Sequence, residues 1–259
     1  MSLMKRVEAN SLVRRAAGRM VPSQVVTCAG VWGGAAPLVA GTIAESTGRP
    51  LLYVCGHLDD ADDALDDLET LVGRPITPFP AWETDAAAGR VSEEIAAQRV
   101  AVCMALQRGG SPPPLIVAPI VALLQPVPNV KTLERARRRL VVGEETGLQN
   151  LLDWLVDAGF EPVEMVEQIG EFAHRGGIID ILPPSATEAV RIEFFGDQID
   201  SIRSFDLDTQ RSREQMDRYD LVSVAAGREI AAAQTTHLFS YLPPEAIVCL
   251  ADAPEVADL

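Results

Sequence analysis

Aromatic residues are scarce in this chain, making up 5% of its 259 residues, and no tyrosine lies between Tyr53 and Tyr219. Proteins that grip single strands of nucleic acid stack the bases on aromatic rings, so over that span such a grip has little to work with. Histidine is rarer still: His57, His174 and His237 are too far apart to form a metal cluster. The cysteines Cys28, Cys55, Cys103 and Cys249 show no C-x-x-C spacing. That excludes a zinc or disulfide framework and reads as buried, reduced thiols in a cytoplasmic protein. No apolar run reaches spanning length, and the N-terminus lacks the charged, apolar, then small order of a secretory signal, so no membrane partner is expected. Positive charge is short as well, with 22 Lys and Arg against 37 Asp and Glu and a formal net charge of −15. Binding to free DNA would need a local basic patch working against that field.

What is present is 47% hydrophobic residues, ample for a core, in a length that suits one large or two ordinary domains. Residues 5–20 have the spacing of an entry helix. Val21–Ala29 is an apolar, β-branched run that reads as a strand, followed by the glycine turn Gly30, Gly33, Gly34 and a helix-like stretch to Ser46. Strand patterns at Leu51–Cys55, Ile76–Phe79 and Leu115–Ala118 alternate with helix patterns at Asp59–Val72 and Ser92–Gln107. The acidic first turn of the helix from Asp59 suits the positive end of its dipole, and those aspartates lack the glycine and terminal glutamate of a calcium loop. The expected fold class is α/β, a mostly parallel sheet with helices on both faces. Ile120–Leu124 reads as a short helix, and a first boundary falls at the prolines Pro126 and Pro128.

Beyond it, Lys131–Arg139 brings five basic residues, read as a solvated face. Leu140–Val142 is strand-like, and Thr146 with Gln149 forms a T-x-x-Q capping box. The helix it opens has Leu148, Leu151, Leu152, Leu155 and Val156 on one face, and Gly159 ends it. The densest stretch is Gly170–Asp206. Runs at Gly177–Leu182, Arg191–Phe195 and Ile199–Phe205 read as strands, and Gly196-Asp197 sits where a tight hairpin reverses the chain. A small antiparallel sheet follows. Alternation sends Ile192 and Phe194 to the core and sets Arg191 and Glu193 side by side on an open face, near Arg175 in the turn before the first strand. Such a face suits a specific polar interface, and no nucleophile–base pair is visible in it. Asp220–Val224 and Ala246–Leu250 are further strand-like runs.

The stretch F-A-H-R-G-G-I-I-D-I-L-P, continued by V-R-I-E-F-F-G-D-Q-I-D-S-I-R-S-F-D and closed by T-Q-R-S, resembles the second domain of the bacterial transcription-repair coupling factors (Mfd). More distantly it resembles the matching domain of the excision-repair protein UvrB. The likeness continues thinly through F-P-A-W-E-T at 79–84 and Y-L-P-P-E-A at 241–246. It implies a degenerate helicase-like domain in two parts, 1–125 and 212–259, around an inserted α+β domain at 126–211 that docks UvrA through Arg175, Arg191 and Glu193. It implies an N-terminal, truncated piece of a larger protein whose further parts bind RNA polymerase and double-stranded DNA. UvrB carries the nucleotide motif G-x-x-x-x-G-K-[ST] in the place of Gly30–Pro37. Here the lysine and the hydroxyl residue are both absent, so neither phosphate nor magnesium has its ligand and no cofactor is expected. UvrB also inserts an aromatic-rich hairpin after its counterpart of Trp82, which this chain lacks. An active, UvrB-type ATP-dependent helicase domain binding nucleotide and DNA is the alternative reading, and the missing Walker residues weigh against it. One departure from the coupling factors is Glu161, where the family commonly has a basic residue.

Overall fold

The computed structural model describes residues 3–22, 24–82, 93–183, 188–207, 209–223 and 234–253. They fall into two compact units. The first draws on 3–82, 102–126 and 237–253, the second on 93–101 and 127–236.

In the first unit the expected entry helix is two helices, α1 (Leu3–Glu8) and α2 (Ser11–Arg19). Asn10 separates them, its side-chain oxygen accepting the Leu12 N–H at 2.8 Å to cap α2. The helix α3 (Ala35–Thr47) precedes β1 (Leu51–Cys55) and α4 (Leu58–Val72), followed by β2 (Thr77–Pro78), the part of α5 (Glu93–Arg108) from Val102 onward, β3 (Leu115–Pro119) and α6 (Ile120–Leu124). A parallel sheet runs in the order Ile247–Leu250, β1, β3, β2. Every residue of β1 and β3 is buried, as a sheet covered on both faces demands. The described part of Val21–Ala29 is not a strand, contrary to its apolar pattern, and Val25 is 96% exposed. One side of β1 is taken by Ile247–Leu250, paired from Leu51 with Ile247 to Val54 with Leu250, and the other by β3. Cys55 and Cys103 are buried and Cys249 half-buried, whereas Cys28 is exposed, against expectation. Burial pushes the Cys55 thiol up to about 12.

The second unit contains β4 (Val127–Pro128), α7 (Val130–Arg135), β5 (Arg137–Val141) and α8 (Leu148–Asp157). The strands β6 (Glu161–Pro162), β7 (Glu171–Arg175), β8 (Ile178–Ile181), β9 (Ala189–Phe195), β10 (Gln198–Phe205) and β11 (Ser212–Met216) follow, then β12 (Arg218–Val222) and β13 (Thr235–Thr236). A six-stranded sheet has the order β11-β10-β9-β8-β7-β6, antiparallel except for the β6–β7 pair. One core cluster joins Leu140, Leu151, Leu155, Phe160, Phe172, Ile179, Ile192, Ile199, Ile202 and Leu221.

Four expectations change here. The run from Asp220 pairs with β5 rather than with the parallel sheet, because Leu221 and Tyr219 complete the core that holds Leu140. Of the basic run, only Val130–Arg135 is helical, and Arg137–Arg139 belong to β5. Arg137 and Arg139 reach Asp220 at 3.7 and 3.1 Å, while Arg138 donates to the Asn150 carbonyl and lies 5.8 Å over the Trp154 ring. Much of that charge is engaged within the fold. The third change is at the start of α8, which has no capping box: Gly147, at φ 75°, is the cap, and Gln149 donates to Asp153 instead. The Thr146 and Gly147 N–H groups are both given to the Asp197 carbonyl, at 3.0 and 2.9 Å. The helix start is thereby tied to the tip of the β9–β10 hairpin. At the other end Gly159 closes the helix as expected, at φ 83°, with Phe160 N–H bonded to the Leu155 carbonyl. Val156, predicted to be in the core face, is exposed.

Candidate functional site

The sheet face turned away from α8 carries the residues that the sequence pattern singled out. Strand β9 alternates strictly: Val190, Ile192 and Phe194 join the core, so Ala189, Arg191, Glu193 and Phe195 lie on the other side. A bulge between Ile199 and Ser201 shifts the phase of β10 by one residue. Ile199 and Ile202 are therefore both in the core, and Ser201, Arg203 and Phe205 stand on the face with Arg191. Arg175 is not in a turn. It ends β7 opposite Ile178, which in turn lies opposite Glu193. Arg175 and Glu193 thus share one cross-strand row, two strand spacings or roughly 10 Å apart.

One end of this face is closed by a second apolar cluster of Val166, Ala173, Leu182, Ala189 and Phe205, with Val163, Ile169 and Leu207 packed against it. The remainder is polar and half-buried. Arg191 does not pair with Glu193, as simple adjacency suggested. Its Nε and Nη2 donate to the two carboxylate oxygens of Asp180 at 2.7 and 2.8 Å, and its guanidinium lies 4.7 Å over the Phe205 ring. The Asp180 hydrogen bonds hold the Arg191 pKa above its ordinary value, against a smaller opposing effect of burial. Glu193 accepts from Ser201 Oγ at 2.8 Å and from Arg203 Nη2 at 3.2 Å. Arg191 and Arg203 are direct cross-strand neighbours, an arrangement that repels unless anions intervene; Asp180 and Glu193 supply them. Arg175 is exposed and donates through Nη2 to the Glu164 carbonyl at 2.8 Å. It borders a shallow depression of about 460 Å³ lined by Pro162, Val163, Glu164 and His174.

Two apolar side chains accompany these charges. Ile178 is 37% exposed in the row between Arg175 and Glu193, and Phe195 is 82% exposed at the end of β9. The charge pattern does not point to Phe195, although the pair Phe194-Phe195 in a half-buried strand must send one ring away from the core. Both hairpin tips have defined backbone geometry. Gly196 takes φ 63°, which a two-residue turn of this hand requires. In the β7–β8 tip, Gly176 takes φ 61° and the Gly177 carbonyl accepts the Phe194 N–H at 2.7 Å.

The glycine turn of the first unit is arranged differently. Gly30 and Gly33 have positive φ and Gly34 caps α3, so a turn and a helix exist without the preceding strand. The Asp67 carboxylate crowds this turn, one oxygen 2.8 Å from where a Cβ on Gly34 would lie. An anion there repels phosphate. Among the described residues no group of His, Cys, Asp and Glu is placed to hold a metal, and no helix is long and apolar enough to cross a membrane.

Residues 139–226 match the UvrB interaction domain family, a span that runs from β5 through β12 and includes the whole candidate face. Over most of its length the chain is also similar to transcription-repair-coupling factors. It is 36% identical to that of Bacillus subtilis strain 168 over 190 residues, covering 73% of this chain and 16% of the relative. It is 35% identical to that of Mycobacterium bovis over 232 residues, covering 86% and 18%, and 32% identical to a Staphylococcus aureus one over 194 residues. The chain spans less than a fifth of the length of the first two relatives. Residues 139–226 are thus similar to the UvrB interaction domain, and most of the chain is similar to transcription-repair coupling factors.

The close approach at the β7–β8 tip gives a first test. A Cβ at Gly177 would lie 2.8 Å from the Phe194 carbonyl oxygen, a backbone atom that cannot swing aside. Gly177→Ala should therefore lower stability by about 1–3 kcal/mol, read as a shift in the urea midpoint. An unshifted midpoint would show that the two hairpins are not locked together in this way.

Proposed function

We propose that the outer face of β7–β10 is a docking surface for UvrA, and that this chain recruits UvrA without catalysing a reaction itself. The observation that carries the reading is a prearranged set of polar pairs, Arg191 with Asp180 and Glu193 with Ser201 and Arg203, flanked by Arg175 and the exposed Phe195 within a UvrB interaction domain. Charged groups desolvated against fitting partners are costly to truncate, and an exposed aromatic beside them is the usual form of an interface anchor. The relatives' name associates them with transcription and repair, and the proposed role of the longer protein is to bring UvrA to stalled RNA polymerase for nucleotide excision repair. Contacts with RNA polymerase and double-stranded DNA are proposed for that longer protein rather than for these residues. The first unit is read as a helicase-like fold that has lost its nucleotide site.

Calorimetric titration against UvrA from the same organism tests the docking face. Arg175→Ala and Phe195→Ala should each weaken binding by at least about tenfold, equal to about 1.4 kcal/mol, with little change in folding because both side chains are exposed. Glu193→Arg should be worse than Glu193→Ala, since it adds repulsion to the loss. Arg191→Ala should weaken binding as well, with some loss of stability, since it strands a half-buried Asp180 carboxylate. A wild-type chain that ignores UvrA, or Arg175 and Phe195 variants that bind like wild type, would refute the assignment.

Catalytic silence is tested separately. With no lysine or hydroxyl residue in Gly30–Pro37 and Asp67 against the turn, the chain should give no saturable heat with ATP and magnesium. Saturable binding that is lost on mutating the turn would restore the helicase reading.

A further inference from the structure

Arg191 is held by its own sheet before any partner arrives. Asp180 stands directly opposite it on β8 and takes its Nε and Nη2 edge through both carboxylate oxygens. The Phe205 ring lies under the guanidinium plane, and Gln210 Oε1 approaches Nη2 at 3.5 Å from the turn after β10. Gln210 is itself fixed: it has φ 57°, its N–H is given to the Asp206 carbonyl at 2.8 Å, and its side-chain amide donates to the Leu207 carbonyl at 2.8 Å. Asp206 in turn accepts from the Thr209 N–H and hydroxyl and pairs with Arg213, which also holds Glu188. Side-chain exposure of Arg191 and Asp180 is 20% and 19%, so the pair is not a freely solvated surface contact.

Guanidinium donors lie in one rigid plane, so fixing the Nε and Nη2 edge also fixes where the Nη1 edge points. We propose that Asp180 is a positioning residue for docking. It orients Arg191 so that the Nη1 donors meet an oxygen acceptor on the partner, without touching the partner itself. This rests on the docking reading above. Because Asp180 already balances the Arg191 charge, the acceptor is recognised by direction as much as by charge, and an arginine that had to find its rotamer on binding would bind more weakly.

A double-mutant cycle with the full chain and UvrA separates this role from a structural one. Asp180→Asn should weaken binding by about five- to tenfold when Arg191 is present, and by less than about twofold in an Arg191→Ala background. An equal loss in both backgrounds would mean that Asp180 touches UvrA directly or that its variant damages the sheet, and would overturn the proposal. Asp180→Asn binding like wild type would overturn it too, while leaving the docking face intact. A wild-type chain that fails to bind UvrA would instead remove the docking reading itself. The wild-type protein alone supplies a readout that needs no variant: the Arg191 Nε–H proton, followed by NMR, should exchange with water much more slowly than that of exposed Arg175. Equal exchange rates for the two would also overturn the proposal.

Discussion

Ile192, with no exposed surface, lies in one core cluster with Leu140, Leu151, Leu155 and Ile179, and that burial decides which way every other side chain of β9 points. Burying such a side chain contributes about 1.5–3 kcal/mol. A slip of one residue would drive Arg191 and Glu193 into the core and put Ile192 and Phe194 in water, losing several such contributions together. The register of β9 is thus strongly specified, and with it the outward placement of Arg191, Glu193 and Phe195. The bulge in β10 extends the same constraint, since it keeps both Ile199 and Ile202 inside and brings Ser201 and Arg203 beneath Glu193 and Arg191.

On that foundation the polar face is built as a set of matched pairs. Isolated surface ion pairs are worth about 0–1 kcal/mol, and nothing in this fold requires more of them. Their value lies in fixed direction. Arg191 is bound at two atoms by Asp180 and supported by Phe205, and Glu193 is held by a hydroxyl and a guanidinium. Each long side chain ordered at an interface costs about 0.5–1.5 kcal/mol, a cost that these pairs have already met in the free protein. The hairpin tips are ordered by the same means: Asp197 ties one to the start of α8, and Gly177 ties the other to Phe194. Phe195, whose two rotatable bonds make it a stiff side chain, is displayed from this braced frame.

Much of this was legible from residue order. The Gly196-Asp197 pair, bounded by β-branched and aromatic runs, marks one hairpin, whereas Arg175, which ends a strand before Gly176-Gly177, reads in the sequence as part of a turn. The alternation Arg191-Ile192-Glu193-Phe194 gives the faces, and the apolar runs Leu51–Cys55 and Leu115–Ala118 mark the buried parallel strands. Pairing across strands was not legible, because Asp180 and Arg191 meet only through a register set by a connection whose length carries no such information. The misplaced strand at Val21–Ala29 has a related cause: an apolar run shows that burial is favourable, not which sheet edge is free, and β1 already has Ile247–Leu250 on one side and β3 on the other. The same holds for Arg218–Val222, whose apolar residues do not say which core they join and whose partner is β5. The capping box at Thr146 failed because a distant carbonyl, that of Asp197, competed for the local N–H groups.

If UvrA docks as proposed, it meets one face of one sheet and no other surface of the second unit. Hydrogen–deuterium exchange of this chain with and without UvrA reads that directly. Docking on that face should slow exchange at the β7–β8 and β9–β10 tips, around Gly176-Gly177 and Gly196-Asp197, and leave α8, β5 and β12 unchanged. Protection centred on α8 or β5, with the two hairpin tips exchanging as in the free protein, would contradict it.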